Sequence, residues 1–292
     1  MNILVTGGSG FAGYYVSHYL ADKGHIVTAT YRSNYTFDDS EKIDYVKQEL
    51  SKRIEIDKKF DAIVHTACSR SGSVLDMDEY IRDNVDSARQ PVDFARRMGI
   101  KTIIYFSTRS VYGEIRSLEA DECIDIINPS KYGLTKHIAE YIFQEAKDLN
   151  TIGFRTPGII GPGAHDIWLV DIVNRIKTGG DVCVSNFETR NLVHIMDICN
   201  FINKLIIGGS TPNSFKYKVV NLACKETISN VDIAYMVKRR FDSKSNIFVK
   251  EAEPGLFRMK ANRAFEMGFE PMKPSEIVNL YLDYVIETSV LD

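Results

Sequence analysis

The chain is predicted to fold as an α/β protein built on a doubly wound parallel sheet, with a smaller C-terminal lobe. Two observations predict it. Short apolar runs alternate with helix-period segments through the first two thirds of the sequence, which is how β-α-β units appear when they close a parallel sheet. The first of those runs passes through a glycine-rich turn directly into an amphipathic stripe.

Taken in order, the expected strands are Asn2 to Thr6, Ile26 to Tyr31, Tyr45 to Gln48, Ala62 to Ala67, Thr102 to Ser107 and Ile152 to Arg155. Behind the first, Phe11, Tyr15 and Tyr19 with Ala12, Val16 and Leu20 repeat every four residues, and Gly24 stands where such a helix would be capped. Two further helices are expected near Glu79 to Met98 and Lys131 to Asp148. After about Pro157 the elements shorten between Gly161-Pro162-Gly163, Gly179-Gly180 and Gly208-Gly209. The expected division is therefore 1–157 for the main domain and 158–292 for the lobe, with segments near Val193 to Leu205 returning to the main sheet.

A chain of 292 residues that is 44% hydrophobic can bury a large core, and a formal charge of −3 supplies no field to gather nucleic acid or an acidic membrane. A small-molecule partner is expected, not a nucleic acid or a membrane. Five cysteines, none in a C-x-x-C pair, suggest neither a disulfide framework nor a zinc site, and no other metal cluster is apparent. With an apolar strand directly after Met1 and no run long enough to span a bilayer, the expected location is cytoplasmic.

Gly7, Gly10 and Gly13, with Phe11 and Ala12 among them, stand at G-x-x-G-x-x-G spacing between strand and helix. Glycines there let the backbone approach a pyrophosphate whose charge sits at the helix N-terminus, the mark of a Rossmann-type dinucleotide site. The second strand ends Tyr31-Arg32-Ser33, without the acid that would hold a ribose 2′-hydroxyl. Arginine beside serine suits a 2′-phosphate, so NADP is favoured over NAD. Glu49 and Leu50 are placed to hold adenine, and Thr66 and Ala67 to line the ribose.

Tyr132 and Lys136 lie four apart in Tyr-Gly-Leu-Thr-Lys, which on a helix puts both on one face. The ammonium can lower the phenol pKa and hold the nicotinamide ribose. Thr108 ends the fifth strand at the sheet edge where doubly wound folds place ligands, and can hydrogen-bond a reacting oxygen. The catalytic set is thus Thr108, Tyr132 and Lys136, with Tyr132 and Lys136 also touching the cofactor. His65 and His194 sit in apolar runs and are taken as core imidazoles.

These residues, with Ile63 to Ala67, Asn84-Val85, Ser110-Val-Tyr-Gly113, Arg155 to Gly163, Arg190 to Asp197 and Ala261 to Pro271, resemble the extended short-chain dehydrogenase/reductases. The branch they resemble contains nucleotide-sugar epimerases, dehydratases and reductases. The resemblance implies a Rossmann domain, a C-terminal lobe that binds a nucleotide-activated sugar, and a homodimer paired through the helices of Asn84 and Tyr132, where Leu134, Ile138 and Ile142 form an apolar stripe. It places Gly158, His165 and Trp168 beside substrate, and leaves Arg109, Arg190 and Arg258 as substrate contacts, the latter two gripping phosphates.

Three departures from that branch matter. Arg109 and Ser110 replace the Asp and Glu that eliminate water in the dehydratases, so no dehydration is expected. Arg155-Thr-Pro-Gly158 lacks the asparagine that binds substrate, and Glu253 precedes Pro254-Gly255 where an arginine is common. The expected activity is reduction of a keto group on a nucleotide-activated sugar, with C4 epimerisation by the same residues as the alternative. Arg32 and Arg155 to Pro162 also look like NADPH-dependent aldehyde and flavonoid reductases, and a cofactor-sensing protein would need the glycine turn without the proton relay.

Overall fold

The computed structural model describes residues 1–33, 42–69, 74–165, 167–208, 215–251 and 257–289. Glu253, Pro254 and Gly255 lie outside the described residues. In chain order the elements begin β1 (Asn2–Thr6), α1 (Phe11–Asp22), β2 (Ile26–Tyr31), β3 (Ile43–Lys47) and β4 (Ala62–His65). A long helix follows in three parts: α2 (Met77–Tyr80), a π-helical stretch (Ile81–Asp86) and α3 (Ser87–Met98). Next come β5 (Thr102–Thr108), a 3-10 turn (Arg109–Tyr112), β6 (Glu119–Ala120), α4 (Lys131–Glu145), β7 (Asn150–Thr156) and β8 (Ile159–Ile160). The remainder is α5 (Trp168–Lys177), β9 (Val182–Ser185), β10 (Thr189–Arg190), β11 (Val193–His194), α6 (Ile195–Gly208), β12 (Val219–Asn221), β13 (Ile228–Ser229), α7 (Asn230–Arg240), β14 (Ile247–Lys250), β15 (Arg258–Met259), α8 (Asn262–Glu266) and α9 (Pro274–Ser289).

The main sheet is seven-stranded in the order β12-β7-β5-β4-β1-β2-β3, and every pairing in it is parallel. Fully buried runs such as Ile3-Leu4-Val5 and Ala62-Ile63-Val64 are what a sheet covered on both faces requires. One face packs against α1 and α6 through Val16, Leu20, Ile198 and Ile202, and the other against α3 and α4 through Val92, Phe94, Ala139 and Phe143. A separate cluster of Leu169, Ile172, Ile233, Val237, Ile277 and Leu282 forms the core of the C-terminal part. From β1 the chain first builds outward to β2 and β3, then returns to β4 on the other side. The crevice between the ends of β1 and β4 is therefore the switch point at which such sheets bind ligands.

Differences from the expected elements have local causes. The strand that returns to the sheet from the C-terminal part is Val219–Asn221, pairing with Gly153 to Arg155, while Val193-His194 pairs with Ile159-Ile160 and continues as α6. The long helix begins two residues before Glu79, where Asp76 and Glu79 form a reciprocal capping box. Pro91 lies within α3 and offers no amide donor there. On α4, Leu134 and Ile138 are 39% and 36% exposed and Tyr141 56%, whereas Ile142 packs into the core.

His65, at the end of β4, is buried, and its Nδ1 lies 2.7 Å from the Thr6 hydroxyl. Burial, aided by the charge of Lys136, drives its pKa from 6.5 down to about 3. Below its ordinary value only the unfolded chain takes up this proton. Stability from this group is thus complete above 6.5 and is lost as pH falls toward 3, at about 1.4 kcal/mol per unit. His65→Asn keeps a polar partner for Thr6 but does not titrate. Urea midpoints should fall less for the variant than for the unmutated protein between about pH 6.5 and 4.5; parallel declines would contradict this assignment.

Candidate active site

The site starts at the turn after β1. Gly10 caps α1 with no side-chain bond to the first-turn amides, so these amides are left to a ligand at a helix N-terminus. At Gly13 a Cβ would stand 2.1 Å from the Gly7 carbonyl oxygen, so only glycine lets α1 start this close to the turn. Uncapped amides at the switch point, together with this close approach, fit a dinucleotide pyrophosphate.

Two cavities meet at this turn. One, about 430 Å³, is lined by Gly7, Gly10, Tyr31, Arg32, Ser33, Glu49, Leu50, Thr66 and Ala67, where the adenosine half was expected. The other, about 560 Å³, is lined by Gly10, Phe11, Ala12, Gly13, Thr66, Thr108, Arg109, Tyr132, Lys136, Gly158, His165, Trp168 and Arg190. Ser9, Gly10, Thr66, Cys68 and Ser69 border both, so the two form one continuous cleft. Arg258 borders neither. It binds the Lys225 carbonyl and stands 4.0 Å from Glu119, its partner in the β15–β6 pair.

Within the larger cavity, Thr108 ends β5 and its Oγ1 accepts from the Ser110 amide at 3.2 Å. Ser130 caps α4, accepting from the Gly133 amide. At Gly133 a Cβ would fall 2.1 Å from the Ser110 carbonyl oxygen, so α4 runs directly against the turn that follows Thr108. That contact brings Tyr132 and Thr108 to the wall of the same cavity. Burial first, then Cys68 and Tyr80, push the phenol well above its usual range, while the Thr108 bond pulls the other way. One turn on, buried Lys136 gives its ammonium to the Phe106 carbonyl at 2.7 Å.

Among the neighbours of this set, Asn84 is named in the sequence only through the resemblance, and Cys68, Ser69 and Asp83 are not singled out there. Asn84 accepts from the Ser69 amide and hydroxyl at 2.9 and 3.1 Å and donates to Thr135 at 2.9 Å, bracing α4 against the loop after β4. Cys68 and Ser69 reach the cleft because that loop leaves β4 at the switch point, a signal carried by topology. At the adenosine cavity Arg32 is bonded to Asp83 at 3.2 Å, and Arg82 binds the same oxygen at 2.8 Å. The acid missing after β2 thus arrives from the π-helical stretch. Trp168 lies 4.4 Å beneath the Arg190 guanidinium, which also donates to Asn230 at 2.8 Å and stands 3.4 Å from Glu188. His165 packs edge-on to Phe11 and faces the cleft with Gly158. His194 accepts from the Met196 amide at 3.3 Å, a satisfied core imidazole. No cluster of metal-ligating side chains occurs among the described residues, and none of their helices is long and apolar enough to cross a membrane.

A model of the NAD dependent epimerase/dehydratase family matches residues 3–221. The chain is 28% identical to UDP-glucose 4-epimerase of Corynebacterium glutamicum over 82% of this chain and 80% of that one. With 2-alkyl-3-oxoalkanoate reductase of Stenotrophomonas maltophilia it shares 32% identity over 57% of this chain and 53% of that one. The Bordetella bronchiseptica enzyme WbmG, solved in complex with NAD and UDP, superposes with a TM-score of 0.83 at 16% identity, covering 99% of this chain and 96% of that one. At that identity the likeness is one of fold.

Tyr132→Phe removes one hydroxyl and leaves the ring packed near Tyr80, 6.3 Å away. Folding and dinucleotide binding should survive while turnover falls by about 10²-fold or more, the scale of lost general acid–base catalysis. Hydride transfer at the unmutated rate in single-turnover measurements would remove Tyr132 from the mechanism.

Proposed function

The chain belongs to the NAD dependent epimerase/dehydratase family, and within it we propose that the protein inverts the C4 hydroxyl of a nucleotide-activated sugar. The observation that carries this reading is the single cleft. It joins the glycine turn to the Thr108, Tyr132 and Lys136 set and continues to Arg190 over Trp168, so cofactor, reacting carbon and nucleotide each have a wall. When bound, the nicotinamide supplies the acceptor and donor of hydride.

The chain's own residues do the rest. Thr108 holds the reacting oxygen beside Tyr132. As phenolate, Tyr132 takes the hydroxyl proton while the alcohol is oxidised; as phenol, it returns that proton when the ketone, having turned over, is reduced. Lys136, one helical turn away, favours the phenolate that begins and ends the cycle, against the burial that raises the phenol, and holds the cofactor ribose. Elimination of water has no acid or base here, since Arg109 and Ser110 follow Thr108.

Net reduction of a keto-sugar is the second reading. Arg32 and Arg82 at the adenosine cavity favour it, because a 2′-phosphate could sit between two guanidiniums. Asp83 binds both and offsets their charge, which supports NAD and with it a recycling epimerase. Incubation with UDP-hexoses, followed by proton NMR, should reveal the C4 epimer with no net change in reduced nicotinamide. Stoichiometric oxidation of NADPH by a keto-sugar nucleotide, with no epimer, would overturn the proposal in favour of the reductase.

A further inference from the structure

The larger cavity is lined by three cations, Arg109, Lys136 and Arg190, and among the described residues no carboxylate lines it. In a chain of net charge −3 this is a local reversal of sign. Lys136 is already held by the Phe106 carbonyl and serves tyrosine and ribose. Arg190 is fixed at the lobe by Asn230, Glu188 and the Trp168 ring.

Arg109 differs from both. Its guanidinium lies 5.8 Å from the centre of the Phe257 ring, and it has no carboxylate partner among the described residues. Burial alone pulls its pKa down, and its charge in turn helps lower that of Arg190. A half-buried cation without a carboxylate partner, lining the same cavity as a second cation, is costly until an anion enters. None of the described residues supplies that anion, and a substrate can.

Position decides which part of the substrate. Arg109 is the next residue after Thr108, so its backbone lies about 3.8 Å from that of the residue holding the reacting oxygen. It serves the sugar ring. Arg190, in β10 and stacked on Trp168, lies toward the lobe and serves the diphosphate. Resting on the nucleotide-sugar reading above, we propose that Arg109 pairs with a carboxylate carried by the sugar, so that the preferred substrate is a nucleotide-activated hexuronate. Guanidinium and carboxylate match as a two-bond fork, which a neutral hydroxymethyl group cannot supply.

The test is calorimetric titration of the NAD-loaded protein and its Arg109→Gln variant with UDP, UDP-glucose and UDP-glucuronate. The unmutated protein should bind UDP-glucuronate about tenfold or more tightly than UDP-glucose, and Arg109→Gln should reduce that preference by about tenfold or more, the worth of one charge-assisted pair. No preference in the unmutated protein overturns the proposal, as does a variant that weakens all three ligands alike, which would place Arg109 on the shared diphosphate. If UDP binds and the preference is flat, only the hexuronate inference fails. If none of the three binds while NAD does, the nucleotide-sugar reading itself fails.

Discussion

The site depends on the Glu140 carboxylate beneath α4. It receives two bonds from Arg155 on β7, at 2.9 and 2.7 Å, one from the Ser107 hydroxyl on β5 at 2.5 Å, and faces His137 at 3.3 Å. Burial alone would raise its pKa, but Arg155, His137 and Ser107 outweigh it and hold the carboxyl at about 2. Losing one member of such a buried pair costs about 3–5 kcal/mol, because the other charge is left without a partner. Tyr132, Lys136 and Glu140 are spaced by four along α4, so the residue that pins the helix lies on the same face as the two proposed to act.

Other contacts complete the alignment. Ser107 precedes Thr108, so the clamp on β5 also fixes the residue that meets the phenol. Arg155 continues over the Tyr112 ring at 4.8 Å, and Tyr112 donates to Asn221 at 2.7 Å, tying β12 into the same buried network. Asn84 braces the other end of α4. Three separate strands and one helix are thus fixed relative to each other at the point where a reacting carbon would sit, and preorganisation of this kind is what makes a proton relay effective.

What the sequence made legible was local. The glycine turn, the buried strands and the Tyr132/Lys136 spacing depend on neighbours within a few residues, and each sits where it was expected. Pairs made by topology were not legible. The Arg32–Asp83 bond joins residues 51 apart, and Arg190 meets Asn230 across 40, with no periodicity to announce either. In the sequence Arg32 stands as a cation without a partner and favours NADP, whereas in the fold Asp83 offsets its charge. Arg258 shares its residue type with Arg190, but β15 directs it to Glu119 and Lys225, away from the cleft. Val219–Asn221 is too short to stand out as a strand until β7 offers an edge to pair with.

The proposed epimerisation requires one site to remove hydride from a sugar carbon and return the same hydride to its other face. Deuterium at C4 of a UDP-hexose substrate tests it most directly. The account predicts an epimer that retains the label at C4, in protonated water, with no labelled nicotinamide released. Loss of the label to solvent, or its accumulation in free reduced cofactor without epimer, would contradict it.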